Sequence, residues 1–180
     1  MALRFPGDQC IKGTRNCTHE HFQAVQKGWH IDGIANDSMP GKTDHFGEIR
    51  NFDSLVGVLL QDVPEPFSGE ICFYRNSHKE LSDFIKLNPA KLSELQLHGN
   101  QALPKVDLFK EREPFHGTGK KGDVFIANYM TAHFIAPNSS NKIRYACYFR
   151  IKSEKFGEEL FNEESILNPW CNWSGLVDVS

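Results

Sequence analysis

The chain has 180 residues, 39% hydrophobic and 24% charged, long enough to bury one core without disulfide or metal staples and too short for two large domains. Twenty Lys plus Arg against 23 Asp plus Glu leave a formal charge of −3, which excludes the basic footprint of a nucleic-acid binder and makes a small molecule the expected partner. Met1 to Cys10 lacks the apolar run of a secretory signal, and no stretch approaches the roughly 18 apolar residues of a membrane helix, so a cytoplasmic protein without a membrane span is expected.

In chain order, Ile49 to Val63 carries Leu55, Val56, Val58, Leu59 and Leu60, apolar on both alternating faces, and predicts a central strand buried on both sides. Ile71 to Arg75 predicts a second strand. Ser77-His78-Lys79-Glu80 has the spacing of a capping box, in which the Ser hydroxyl and the Glu carboxylate satisfy backbone donors, ahead of a short helix with Leu81, Phe84 and Ile85 on one face. A second amphipathic piece covers Lys91 to Leu97. Asp123 to Tyr129 and Lys142 to Lys152, rich in β-branched and aromatic residues, predict two more strands, and Glu158 to Ser165 a third helical piece. Short strands broken by turns, with helices inserted or appended, predict a β-sandwich or barrel rather than a doubly wound α/β fold.

Five cysteines, Cys10, Cys17, Cys72, Cys147 and Cys171, are an odd number with no C-x-x-C pair, and they read as free thiols rather than as a disulfide framework or a thiolate zinc site. Gly117 to Gly122 fits G-x-G-x-x-G by letter but precedes a strand instead of joining a strand to a helix, so it reads as a loop. His45, His98 and His116 carry no assignable role.

The chemistry-bearing pattern begins at Gly28-Trp29-His30-Ile31-Asp32-Gly33. In extended backbone His30 and Asp32 leave the same face while Ile31 faces away. The pair can hold a metal ion from two sides or form a simple turn hydrogen bond. His133, just past the Asp123 to Tyr129 strand, is placed to supply a third ligand, and two histidines with one carboxylate make the facial arrangement of non-haem Fe(II). Along the last long strand, Ile143, Tyr145, Cys147, Phe149 and Ile151 form an apolar face, read as the packed one; Arg144, Ala146, Tyr148 and Arg150 form the other. A guanidinium at Arg144 inside a barrel needs an anion, and its planar fork suits a carboxylate; the alternative is a protein carboxylate or a wet rim. Trp29 either walls the metal site or fills core volume. His78 is expected at the pocket rim.

Together the H-x-D of His30 and Asp32, the later His133 and Arg144 eleven residues beyond it resemble the phytanoyl-CoA dioxygenase-like family of Fe(II)- and 2-oxoglutarate-dependent oxygenases. Trp29 before the first ligand, Ser77-His78 at the family's G-S-H turn, Gly122-Asp123-Val124-Phe125, Pro137-Asn138-Ser139 and the tail from Pro169 to Leu176 are similar as well. The resemblance covers most of the chain from about Gly28 onward. It implies a mainly β fold, a double-stranded β-helix (jelly roll, cupin-like barrel) with a few short peripheral helices, as a single dioxygenase-like domain over residues 1–180 with a shortened N-terminal region. It also implies that His30, Asp32 and His133 hold Fe(II) and that Arg144 grips the distal carboxylate of 2-oxoglutarate. O2 is then used in an oxidative decarboxylation to succinate and CO2 coupled to hydroxylation of a small-molecule substrate. Asp32 favours hydroxylation, since halogenating relatives lack this carboxylate. The chain departs from the family at Ile135, where many members place a Ser or Thr on the cofactor carboxylate, and at Asn76, where Gly is usual. Two other readings stay open: a catalytically inactive jelly-roll binding paralogue with a vestigial metal site, and a cupin-type enzyme using His19, His21 and His133, although the His19-Glu20-His21 stretch reads more readily as an exposed turn.

Overall fold

The fold is given by a computed structural model, which describes residues 1–7, 22–23, 26–32, 52–98, 102–103, 108–109, 112–152, 163–171 and 173. Two antiparallel sheets dominate them. Strands β1 (Ala2–Arg4), β2 (Ser54–Leu59), β5 (Val124–Asn128) and β7 (Arg144–Ile151) form a four-stranded sheet in the order β1-β7-β2-β5. Strands β3 (Ile71–Phe73), β4 (Phe115–His116) and β6 (His133–Ile135) form a three-stranded sheet in the order β4-β3-β6. The free edge of β6 is extended by an isolated antiparallel bridge between His30 and His133. Three short helices, α1 (Ser77–Leu87), α2 (Ala90–His98) and α3 (Glu163–Leu167), complete the described elements. The chain is therefore mainly sheet with a few short helices, and the sheets do not close into a barrel among the described residues.

The predicted strands form, with tighter bounds. β2 is central, between β7 and β5, but it is not fully buried on both sides: Leu55 and Leu59 are buried, whereas Val56 and Val58 on the alternate face are only partly buried. Residues 49–51 at the start of the predicted strand lie outside the described residues. β7 corrects the expected assignment of its faces. Arg144 is 1% exposed and Ala146 fully buried, while Phe149 is 51% and Ile151 48% exposed. The apolar series is the outward one, because the Arg144 face is the one turned toward the three-stranded sheet; contact between Phe125 and Phe73, ring centroids 5.1 Å apart, marks the meeting of the two layers. Gly57 in β2 permits this layering: a Cβ there would stand 1.7 Å from Phe125 Cζ, so only glycine lets that ring lie across the strand.

The core continues on the far side of the three-stranded sheet. Register alternates Phe73 and His133 on the inner face with Cys72 and Phe134 on the outer one. Outside, Tyr74 stacks on Phe109 at 4.6 Å, Trp29 meets Phe109 edge-on at 4.9 Å, and Leu81, Ile85 and Leu95 of the helices are buried.

The helix expected after Ser77 is present, but the capping box is not. Asn76, in the left-handed region at φ 60°, occupies the cap position with no side-chain cap bond. The Ser77 hydroxyl instead accepts the Ala132 N–H at 2.8 Å across the fold, and Glu80 pairs with Arg112. A long-range backbone donor, buried and needing an acceptor, outcompetes the local one. α2 covers the predicted second piece, and α3 overlaps the third, whose residues 158–162 lie outside the described set. Cys72, Cys147 and Cys171 are reduced thiols outside any disulfide, as read from spacing; Cys10 and Cys17 fall outside the described residues. No helix among the described residues is long and apolar enough to cross a membrane.

Candidate metal centre

His30 and His133 are tied together by the backbone. Each N–H donates to the other's carbonyl at 2.9 Å, the closed pair of an antiparallel bridge, so both imidazoles leave the same face; their ring centroids are 4.6 Å apart. Two residues on, Asp32 returns to that face, and its Oδ1 lies 3.7 Å from His30 Nε2 and 3.6 Å from His133 Nε2. The ligand atoms of the three residues all lie within 4.8 Å of one another. Three of the predicted site residues are thus brought to one point from positions a hundred residues apart. The alternative of a bare His30–Asp32 turn pair does not describe a group that also contains His133.

The electrostatics of this point favour a cation. His133 is nearly buried, and its Nδ1–H donates to Thr131 O at 2.8 Å, which leaves the Nε2 lone pair facing the Asp32 carboxylate. His30 Nδ1 faces Gly28 O at 3.4 Å in a looser version of the same arrangement. Acceptors converging this way need a proton or a metal between them. Burial by itself would raise the Asp32 carboxyl, but with a proton on His133 Nε2, where a metal would otherwise sit, the hydrogen bond and charge of His133, followed by Arg150 and His30, outweigh it and hold Asp32 well below the usual carboxylate range. Asp32 therefore stays an anion, as a metal ligand must. Its second oxygen, Oδ2, accepts from Arg150 Nη2 at 2.9 Å.

Arg144 lies on the same face of β7 as Arg150, beyond Ala146 and Tyr148. Its Nε donates to Gly69 O at 2.7 Å and its Nη1 to the Tyr148 hydroxyl at 3.2 Å. Its Nη2 is buried with no hydrogen-bond partner, and no carboxylate forms an ion pair with Arg144 among the described residues. Burial, with Arg4 nearby, works against the charge and pulls the guanidinium below its ordinary value, while Tyr148 and Glu70 partly offset this. A buried donor of this kind costs about 1–3 kcal/mol if left unmet, so Arg144 Nη2, like the buried Arg4 Nε, is open to an acceptor.

Trp29 packs into the core on the face away from His30, so of its two expected roles it takes the volume-filling one. His78 does reach a rim: it helps line a cleft of about 370 Å³ with Phe73, Phe125, Thr131, Phe115 and Trp170, and its Nε2 accepts the Trp170 indole N–H at 3.1 Å. That cleft adjoins the triad, since the Phe73 ring lies 6.1 Å from that of His133 and Thr131 supplies the His133 acceptor. A larger cleft of about 960 Å³ between α1 and α3 shares the His78 and Trp170 wall but lies away from the triad. His19 and His21 fall outside the described residues. Sequence reasoning assigned no role to Arg150, Tyr148 or Thr131; the period-two alternation of β7 carried a signal for the first two, because it aligns both with Arg144. No protein-family model matches the chain, and no curated protein matches it.

Proposed function

We propose that this protein is an Fe(II)- and 2-oxoglutarate-dependent dioxygenase of the phytanoyl-CoA dioxygenase-like kind, a hydroxylase of a small organic substrate. The observation that carries the reading is the pairing of a two-histidine, one-carboxylate cluster with a buried arginine whose Nη2 has no hydrogen-bond partner among the described residues. The strand order supports a jelly roll: β1-β7-β2-β5 in one sheet, and the His30 segment, β6, β3 and β4 in the other, is the interleaving that two Greek keys produce. In such a fold the ligand-bearing strands meet at one end, where His30, Asp32 and His133 would hold the metal.

Fe(II) with 2-oxoglutarate supplies O2 activation coupled to oxidative decarboxylation, giving succinate and CO2. The protein's own residues then have distinct tasks. Thr131 fixes the His133 tautomer so that Nε2 is the donor atom. Arg150 orients Asp32 from its far oxygen, leaving Oδ1 toward the histidines. Arg144 Nη2 and the Tyr148 hydroxyl receive the distal carboxylate of the keto acid, Tyr148 standing in for the hydroxyl that Ile135 lacks. Phe73 and Phe125 keep water from the reacting centre, and the cleft beside them admits the substrate.

Anaerobic addition of Fe(II) and 2-oxoglutarate tests the reading: chelation gives a weak visible charge-transfer band. Its absence from folded, iron-loaded protein overturns the proposal. One observation favours the binding-paralogue alternative, namely that Arg150 already neutralises the Asp32 carboxylate. Succinate release on aerobic turnover separates an enzyme from a vestigial site.

A further inference from the structure

A second cluster lies on the opposite face of the three-stranded sheet from His133. Cys72 and His116 are cross-strand partners of β3 and β4, and Glu70, two residues before Cys72, shares their face. Glu70 and Cys72 are fully buried, and the His116 side chain is 21% exposed. Cys72 Sγ lies 3.5 Å from His116 Nδ1 and 3.9 Å from Glu70 Oε1, while His116 Nδ1 and Glu70 Oε1 are 2.6 Å apart. The Glu70 carboxylate is aimed by two backbone donors, Phe67 N–H at 3.1 Å to Oε1 and Ser68 N–H at 2.8 Å to Oε2. Phe22 stacks on the His116 ring at 5.7 Å and Phe67 meets it edge-on at 5.9 Å, which walls the group with hydrocarbon.

A nucleophilic-thiol reading fails on geometry. Cys72 and Glu70 address the same nitrogen of His116, so the imidazole cannot take a proton on one side while being oriented on the other, as a relay requires. Burial also pushes the Cys72 thiol far up, away from a free thiolate.

The geometry points to a second metal site, in which Glu70, Cys72 and His116 bind a borderline divalent cation of the zinc class through one oxygen, one sulfur and one nitrogen. Tetrahedral coordination at ordinary bond lengths sets neighbouring donors about 3.3–3.6 Å apart. The sulfur–nitrogen spacing of 3.5 Å already matches, and the sulfur–oxygen spacing of 3.9 Å is close. The nitrogen–oxygen pair opens from 2.6 Å by about 0.7 Å once the proton it shares is replaced. On binding, the thiol proton is released to solvent and the His116 proton passes from Nδ1 to Nε2, the side chain being partly exposed. Thiolate and carboxylate then neutralise a dication, the one arrangement that makes a charged thiolate tolerable in this dry pocket. Water takes the fourth position. The site needs nothing from the His30–Asp32–His133 cluster and stands whether or not the chain is an oxygenase.

Cobalt(II) tests it, because a thiolate ligand gives a near-ultraviolet sulfur-to-cobalt charge-transfer band that two imidazoles and a carboxylate cannot. The full chain carrying His133→Ala, titrated anaerobically with Co(II), is expected to show that band saturating at about one equivalent, with Zn(II) displacing it. Cys72→Ser and His116→Gln should each abolish it; His116→Gln keeps a donor toward Glu70 and serves where the fully buried Cys72 tolerates no change. No band in folded protein overturns the proposal. So does a band that survives either substitution: after Cys72→Ser it would come from another of the five cysteines, and after His116→Gln from a thiolate that does not share its metal with His116.

Discussion

His30 and His133 exchange both backbone hydrogen bonds at 2.9 Å, so the spacing of their imidazoles is set by a bridge and not by two independent loops. Preorganisation of this kind predicts that divalent metal affinity depends on all three donors together. In a chain already carrying Cys72→Ser, which removes the second candidate group, His133→Ala is expected to weaken Fe(II) or Co(II) binding by more than the roughly 10–100-fold that loss of an outer hydrogen-bond partner costs. Isothermal titration under anaerobic conditions measures it. An unchanged affinity would remove His133 from the site.

Arg144→Ala should separate the two halves of the site. Truncating one partner of a buried, hydrogen-bonded charge pair costs roughly 2–5 kcal/mol, so 2-oxoglutarate binding is expected to weaken about 30-fold or more while metal affinity stays constant. Competition of 2-oxoglutarate in the iron-loaded protein, followed by its charge-transfer band, gives both numbers. Equal affinity for the keto acid in wild type and variant excludes Arg144 as its anchor.

The site was legible to a useful extent, and the reason is local. His30 and Asp32 sit two residues apart on extended backbone, and Arg144 lies on a long strand whose alternation is plain, so which residues share a face could be read without coordinates, though not which face of the strand is packed. What was not legible depended on comparison between elements. The apolar series of β7 was read as the packed face because apolar residues usually are inside, but packing is decided by where the second sheet lies, and Phe125 lies over Gly57 on the Arg144 side. The capping box at Ser77 failed because the competing donor, Ala132 N–H, is 55 residues away. The group of Glu70, Cys72 and His116 spans 46 residues and matches no spacing rule, so only the pairing of β3 with β4 assembles it.

Ser77 and Glu80 therefore offer a test that discriminates two local models. A capping box predicts coupled effects of Ser77→Ala and Glu80→Ala. The observed bonds predict independent ones, with Ser77→Ala costing about 1–3 kcal/mol through the orphaned Ala132 N–H and Glu80→Ala no more than about 1 kcal/mol through a half-exposed ion pair. A double-mutant cycle by chemical denaturation should give a coupling energy near zero.

His78 should make stability depend on mildly acidic pH. Burial holds this histidine below its ordinary value of 6.5, with Lys79 adding to the effect and Glu80 opposing it. The unfolded chain then binds the proton more readily than the folded one. Stability is full above about 6.5 and declines as pH falls through 6.5 toward the lowered value. Protonation also removes the acceptor for the Trp170 indole N–H. The expected result is a fall in Tm over that window, smaller in His78→Gln, accompanied by a change in tryptophan fluorescence that Trp170→Phe abolishes.

Gly57 predicts a suppressor pair. Gly57→Ala drives a methyl into the Phe125 ring, and overpacking of this sort costs about 1–3 kcal/mol. Adding Phe125→Leu should recover part of the loss, so that the two changes together destabilise less than their sum. Strict additivity in thermal unfolding would show that the ring is not held where the strand leaves room for it.

Val124, Ile126, Phe149 and Ile151 are about half to two-thirds exposed, all on the outward side of the four-stranded sheet. Colloidal behaviour and ligand chemistry are thereby assigned to opposite sides of one layer. Threonine or lysine on that outer side would raise the salt concentration at which the protein precipitates, yet leave the guanidinium and phenol on the inner side undisturbed.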